Sequence, residues 1–233
     1  MTVEILDSPG EVAETLAVRL LDQLVALQRT RAEVHLGLTG GTIATTMYQR
    51  LGALAPVRDI DWSQVHLWWG DERWVSPDSP DRNDLGARAG LGQIWDLVTL
   101  HRMPANEGGD LDAAAAAYAA ELGDTVLDIC LLGLGPDGHV ASLFPGHRSE
   151  QQTGRVIAVR DSPKPPPERI SLTLEVINNA DEVWFVATGS EKAEAAARAV
   201  SGDDELPSGR ARGRSRTCWW LDRDAAAQLP TGD

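Results

Sequence analysis

Four apolar runs in this chain pass directly into glycine, and that repeated punctuation constrains the fold more than any other feature of the sequence. They are VHLGL (34–38) before Thr39-Gly40-Gly41, VHLWW (65–69) before Gly70, ICLLGL (129–134) before Gly135, and VWFVAT (183–188) before Gly189. Short, near-continuous apolar runs of this kind suit strands buried on both faces. Val3 to Leu6 reads as an earlier strand. After it, Ser8-Pro9-Gly10-Glu11 opens a helix with a capping box, placing Val12, Leu16, Leu20, Leu21 and Leu24 on one face. Helical patterns follow at least three of the four glycine loops. Strands alternating with helices predict an α/β fold, a mostly parallel, doubly wound sheet flanked by helices in three layers, with the chain 1–233 as one domain. In such sheets ligands bind beyond the carboxyl ends of the strands, so the glycine loops are where chemistry is expected.

The rest of the chain is quieter. DLDAAAAAYAAEL (110–122) is an Ala-rich packing helix, and Ser162-Pro163-Lys164-Pro165-Pro166-Pro167-Glu168 is a stiff connection, since Pro fixes φ and has no N–H to donate. An alternating strand is expected from Arg169 to Leu174, and Ser201 to Arg216 reads as a long surface loop, either a lid or a mobile segment, before a last strand at TCWWL (217–221).

Composition narrows the function. The 233 residues carry 35 acidic against 21 basic side chains, a net charge of −14, which disfavours nucleic acid and anionic membranes as partners. No apolar run is long enough to span a bilayer, and MTVEILDSPGE lacks the basic start and apolar block of a signal peptide, so a cytoplasmic location is expected. Cys130 and Cys218 sit in apolar runs without a partner at metal-ligand spacing and read as buried hydrophobes, so no metal is expected. Only two of the 21 basic residues are Lys, at 164 and 192. In so Arg-biased a chain, a retained Lys marks a position where a compact ammonium is wanted.

Each loop has its own candidates. Gly40-Gly41-Thr42 opens a helix and is either a tight turn or a phosphate cradle made by unpaired N–H groups and the positive dipole end; it lacks the Lys and spacing of a P-loop. Gly70-Asp71-Glu72-Arg73 is either an internal ion pair or a phosphate contact through Arg73. Lys192 lies in the first turn of a helix after Gly189, where a cation opposes the dipole unless an anion joins it. The third loop, Gly133-Leu134-Gly135-Pro136-Asp137-Gly138-His139, matches G-x-G-x-x-G with Asp161 downstream. Yet Asp137 would face a pyrophosphate, and Phe144-Pro145-Gly146 would end the following helix almost at once. His139, after a flexible glycine at a strand end, reads instead as a general acid or base. His35, His66, His101 and His147 lack such a setting and read as structural.

Taken together, LTGGT (38–42), WGDERWV (69–75), GLGPDGHVASLFPG (133–146), SPKPPPERISLTL (162–174) and TGSEKA (188–193) resemble the 6-phosphogluconolactonase family, within the glucosamine-6-phosphate isomerase/deaminase-like superfamily. The resemblance covers almost the whole chain. In the deaminase branch the Asp-Gly-His core leads typically to Asn-Glu-Pro; Ser142-Leu143-Phe144-Pro145-Gly146 here is of the lactonase kind. Thr42 and Arg82 each stand where Ser is frequent in relatives. The resemblance implies a NagB/RpiA-like fold and hydrolysis of 6-phospho-D-glucono-1,5-lactone without a cofactor. It implies His139 as the base, Asp137 as its orienting partner or a turn residue, and Arg73, Lys192 and the Gly41–Thr42 helix start on the 6-phosphate. Gly40, Asp71 and, more weakly, Arg169 complete the candidate site. The expected partner is the small sugar lactone alone, with the chain a monomer or weak homodimer. The alternatives are an isomerase or deaminase acting on an amino-sugar phosphate, and a non-catalytic sugar-phosphate sensor; the retained His139 weighs against the sensor.

Overall fold

The computed structural model describes residues 1–230, so the last three residues of the expected 1–233 unit lie outside the described residues. The chain opens with β1 (Thr2–Leu6), α1 (Pro9–Gln28), β2 (Val34–Leu38), α2 (Thr42–Leu54), β3 (Val65–Trp69), β4 (Asp71–Arg73) and α3 (Asn83–Leu91). It continues through β5 (Thr99–Leu100), α4 (Leu111–Leu122), β6 (Ile129–Gly133), β7 (Val156–Val159), β8 (Arg169–Leu172) and α5 (Leu174–Asn179). Then come β9 (Glu182–Ala187), α6 (Ala193–Val200), the single turn α7 (Pro207–Arg210) and β10 (Arg216–Asp222).

Seven strands form one sheet in the order β1-β10-β9-β6-β2-β3-β5. Every pairing in it is parallel. The apolar runs are therefore what a sheet covered on both faces requires: all six residues of β9 are buried, as are Leu131, Leu132, Trp219 and Trp220 of its neighbours. α1 starts at its sequence signal, with the Ser8 hydroxyl accepting the Glu11 N–H and the Glu11 carboxylate reaching back to the Asp7 N–H. Its expected apolar face is buried. α1, α2 and α3 pack on one another, whereas α4 packs on β7 and β8.

Four local expectations are corrected. The charged run after Gly70 is a strand, β4, in a separate three-stranded antiparallel sheet ordered β4-β8-β7. The strand expected over 169–174 ends at Leu172: Thr173 turns its N–H to the Arg155 carbonyl and Leu174 opens α5, whose Val176 and Ile177 are buried. No α-helix follows the third glycine loop before β7; only a short 3-10 turn stands there, at Arg148–Gln151. The segment 201–216 is pinned down, with Leu206, Pro207, Ser208 and Ala211 buried.

His35, His66 and His101 cluster beside Trp68, which lies flat on His101 at 3.6 Å between ring centroids, while His66 stacks on His101 and His35 tilts against His66. Trp68 donates its indole N–H to His35 Nδ1 at 3.1 Å, so His35 carries its proton on Nε2 and a second proton would meet the indole N–H. Burial first, then His66, hold His35 below the usual imidazole range; burial and His101 do the same for His66, with Glu33 opposing both. The unfolded chain takes up these protons near pH 6.5, the folded chain only at lower pH. In that window the unfolded state binds more protons, so stability falls as the pH drops below that value. The melting temperature should therefore fall between about pH 7 and pH 5.5, and His66→Gln should flatten the fall; an equal slope in the variant would assign the acid sensitivity to other groups.

Candidate active site

β2 and β6 are neighbours in the sheet, yet the chain proceeds from β2 outward to β3 and β5, and from β6 outward to β9 and β10. Connections that diverge in this way leave a crevice beyond the carboxyl ends of the two strands. A cavity of about 270 Å³ lies there, with Thr39, Gly40 and Gly41 on one wall and Gly133, Leu134 and Gly135 on the other. β4, β8 and the start of α3 close it with Asp71, Arg73, Arg169 and Asn83, while His139, Ala141, Lys164 and Lys192 complete the lining.

The glycines of the third loop exist for His139. A Cβ on Gly135 would overlap the His139 ring and press on the Asp137 carboxylate, so only glycine lets the pair fold back over this position. Gly135 N–H donates to the His139 carbonyl at 3.0 Å, which closes the loop on itself. Gly138 has φ +83° and packs against buried Leu206, and its carbonyl accepts the Ser208 N–H at 3.1 Å. The long segment before β10 thus buttresses this loop instead of covering the cavity. With no helix behind it, the G-x-G-x-x-G match offers no helix start for a pyrophosphate.

His139 Nδ1 lies 2.6 Å from Asp137 Oδ1. Burial by itself would raise the Asp137 carboxyl, but the hydrogen bond and charge of His139 and the charge of Lys164 outweigh it and hold the group well below the usual carboxylate range. An ionised Asp137 can only accept, so Nδ1 carries a proton, which in the neutral ring leaves the lone pair on Nε2. Phe144 backs the ring at 4.6 Å between centroids, and the Arg169 guanidinium lies 5.7 Å from the centre of the Phe144 ring.

Four cations, Arg73, Lys164, Arg169 and Lys192, line the cavity around this pair in a chain of net charge −14. Arg73 and Arg169 stand directly opposite each other across the β4–β8 ladder, a like-charge pairing that needs compensation. Buried Asp71 supplies part of it, its carboxylate accepting the Ser142 hydroxyl at 2.7 Å and lying 3.8 Å from Arg169. Arg73 spends its NH1 on Asn83 Oδ1 and the Asp81 carbonyl. Burial first, then Arg73, lower the Arg169 pKa, with Asp71 opposing; burial first, then Lys164, lower that of Lys192, with Glu191 and Asp137 opposing. An anion entering the cavity would relieve both. α2 starts at the cavity wall without a side-chain cap, its N-cap Gly41 at φ +102°. Burial pushes Glu72 up to about 7, although Arg82 and the N–H groups of Asn83 and Asp84 pull the other way. Its carboxylate accepts those two N–H groups and so ties β4 to the start of α3. Arg82 lies inside this joint, paired in two-point fashion with Asp84 and bonded to the Met103 carbonyl, away from the cavity.

Of the residues expected from sequence, Gly40, Gly41, Asp71, Arg73, His139, Arg169 and Lys192 line the cavity, and Asp137 stands behind His139. Thr42, the first residue of α2, does not line it. Asn83 and Lys164 do, and sequence reasoning left both out of the site. Lys164 carried one signal, the scarcity of Lys: both lysines of the chain meet in this cavity. Asn83 carried none of its own, although Gly40 is its counterpart, since a Cβ there would overlap the Asn83 amide. The four remaining histidines stay outside; His147 bonds Ser149 in a turn. Among the described residues, no group of His, Cys, Asp and Glu is placed to hold a metal ion, and no helix is long and apolar enough to cross a membrane.

A parallel α/β sheet with a cation-lined cavity and a carboxylate-backed histidine at its reversal point is the arrangement of a class of sugar-phosphate enzyme folds. The chain belongs to the family described as glucosamine-6-phosphate isomerases/6-phosphogluconolactonase, whose profile matches residues 7–220. Among its relatives is a 6-phosphogluconolactonase of Streptomyces coelicolor, 46% identical over 94% of this chain and 91% of the relative. A solved 6-phosphogluconolactonase of Trypanosoma brucei is 26% identical, covers 98% of both chains and superposes with a TM-score of 0.81. A monomeric glucosamine-6-phosphate deaminase, 21% identical with a TM-score of 0.78 over 98% of this chain and 100% of its own, shares the fold.

Gly135→Ala should displace the His139 ring and abolish the downfield Nδ1 proton resonance that a short, charge-assisted hydrogen bond produces, with the far-ultraviolet circular dichroism unchanged. A resonance that persists would mean that the loop accommodates the methyl group.

Proposed function

We infer that the chain hydrolyses 6-phospho-D-glucono-1,5-lactone to 6-phospho-D-gluconate, the second step of the oxidative pentose phosphate pathway. Relatives that carry the name of this activity match it over nearly their full length, in human (36% identical, 93% of the relative) as in Streptomyces. The observation that carries the mechanism is the His139–Asp137 pair in the wall of a cavity that also holds Arg73 and Lys192, with the Nδ1 side of the ring committed to the carboxylate.

A lactone is an activated ester, so a positioned water and a base are chemistry enough. His139 Nε2 takes a proton from water as the water oxygen attacks C1. Asp137 stabilises the imidazolium that forms. The bond from C1 to the ring oxygen then breaks, and the imidazolium returns the proton to that oxygen, which leaves as the C5 hydroxyl; the new carboxylic acid loses its proton to solvent. Arg73, Lys192 and the α2 start at Gly40 and Gly41, to which Thr42 adds only its backbone N–H, are read as the 6-phosphate subsite, because they combine cationic side chains with uncapped N–H groups. Asp71 is read as the anchor of this subsite, since its carboxylate is already committed to Ser142 and Arg169.

The test is to generate the lactone in situ from glucose 6-phosphate and its dehydrogenase and to follow its loss against the spontaneous background. His139→Ala should lower kcat by about a hundred- to ten-thousandfold while leaving affinity for 6-phosphogluconate near normal. Near-normal hydrolysis by that variant would refute the base assignment, and a wild-type rate no faster than background would refute the reaction. Arg73→Ala should raise KM about tenfold or more and narrow the preference for phosphorylated over unphosphorylated lactone, as loss of a charge-assisted contact predicts. An unchanged preference would place the phosphate elsewhere.

A further inference from the structure

The Pro-rich segment 162–168, which the reaction above does not use, carries a side chain straight to the catalytic pair. Lys164 Nζ lies 3.3 Å from Asp137 Oδ1 and 3.3 Å from His139 Nδ1. An ammonium has only donors, and Nδ1 already gives its proton to Asp137, so the hydrogen bond of Lys164 is to the carboxylate and its contact with the ring is one of charge. The backbone beneath it is held firmly. Arg169 donates to the carbonyls of Lys164, Pro165 and Pro166, and the Ser162 hydroxyl donates to the Lys164 carbonyl.

We propose that Lys164 is a positioning residue for the lactone hydrolysis, which keeps His139 free to act as the base by sharing the Asp137 carboxylate and opposing a second proton on the ring. A carboxylate alone beside an imidazole favours the imidazolium, and an imidazolium cannot take a proton from water. The neighbouring ammonium offsets that pull while leaving Asp137 ionised, so the ring stays oriented without being trapped in its charged form. The other charged groups around the ring do not duplicate this geometry. From β8, Arg169 reaches it only across Phe144; Arg73 and Asp71 of β4 and Lys192 beyond β9 lie in the wall of the shared cavity, without a contact to Nδ1. A compact point charge suits the gap between carboxylate and ring, in keeping with a Lys where this chain otherwise uses Arg.

The inference rests on His139 as the base, and its test separates the two. Lys164→Met and Lys164→Gln are compared with wild type in the pH dependence of kcat/KM and in a titration of the His139 ring Cε1–H signal by NMR, assigned by its loss in His139→Gln. Removing the ammonium should move both the acid limb and the NMR midpoint upward by about one pH unit, the size expected for one neighbouring charge. Lys164→Arg, which keeps the charge, should restore most of the shift. The Lys164 side chain is 37% exposed, so these variants should fold, which their melting curves check. Unchanged or lowered midpoints in folded Met and Gln variants would overturn the proposal. Failure of the base assignment would show separately, as retained turnover in His139→Ala, because the NMR midpoint does not depend on turnover.

Discussion

Two adjacent parallel strands whose chain continuations run to opposite sides of the sheet cannot cover their own ends. That constraint, at β2 and β6, creates the crevice on which everything functional here depends. The carboxyl ends of buried strands would otherwise be a poor place for exposed polar groups. Here they present backbone at Gly40 and Gly41 on one side and a histidine loop on the other, with the seven-stranded sheet as rigid support. The small β4-β8-β7 sheet then brings Arg73 and Arg169 over the opening from a different direction.

A chain of net charge −14 that concentrates four cations in one cavity must hold them there against their mutual repulsion. Buried carboxylates do this, each with its own hydrogen bonds. Asp71 joins the His139 loop to β4 through Ser142 and stands beside Arg169; Glu72 ties β4 to α3 and so fixes Asn83 against Arg73. The surface acidity does not forbid an anionic ligand, because fields from distant surface charges are screened within about 8–10 Å at physiological salt, whereas these cations act at contact distance.

Much of this was legible in the residues. The apolar runs ending in glycine gave away the parallel sheet, because a strand buried on both faces has little choice of side chain. Gly135 and Gly138 followed by His139 gave away the histidine loop, because a residue folded back over a strand end needs a neighbour without a Cβ. What misled were segments whose composition has two readings. The charged run Asp71–Arg73 looks like a loop and is a strand, since its pairing with β8 is decided by a partner nearly a hundred residues away. The Gly-, Asp- and Arg-rich stretch before β10 looks mobile, yet it packs through Leu206 against a glycine of the active loop.

The sequence by itself determined the strands, the glycine positions and the placing of His139 at a strand end, since these follow from local periodicity and from what one residue does to its neighbours. Only the tertiary structure decided the company that histidine keeps. Lys164 stands 25 residues from His139, and Asn83 stands 10 residues from Arg73, at separations with no periodic signature. They meet because the small sheet and its Pro-rich connection fold over the main sheet at its reversal point, a consequence of long-range strand pairing and of buried carboxylates that no local pattern encodes.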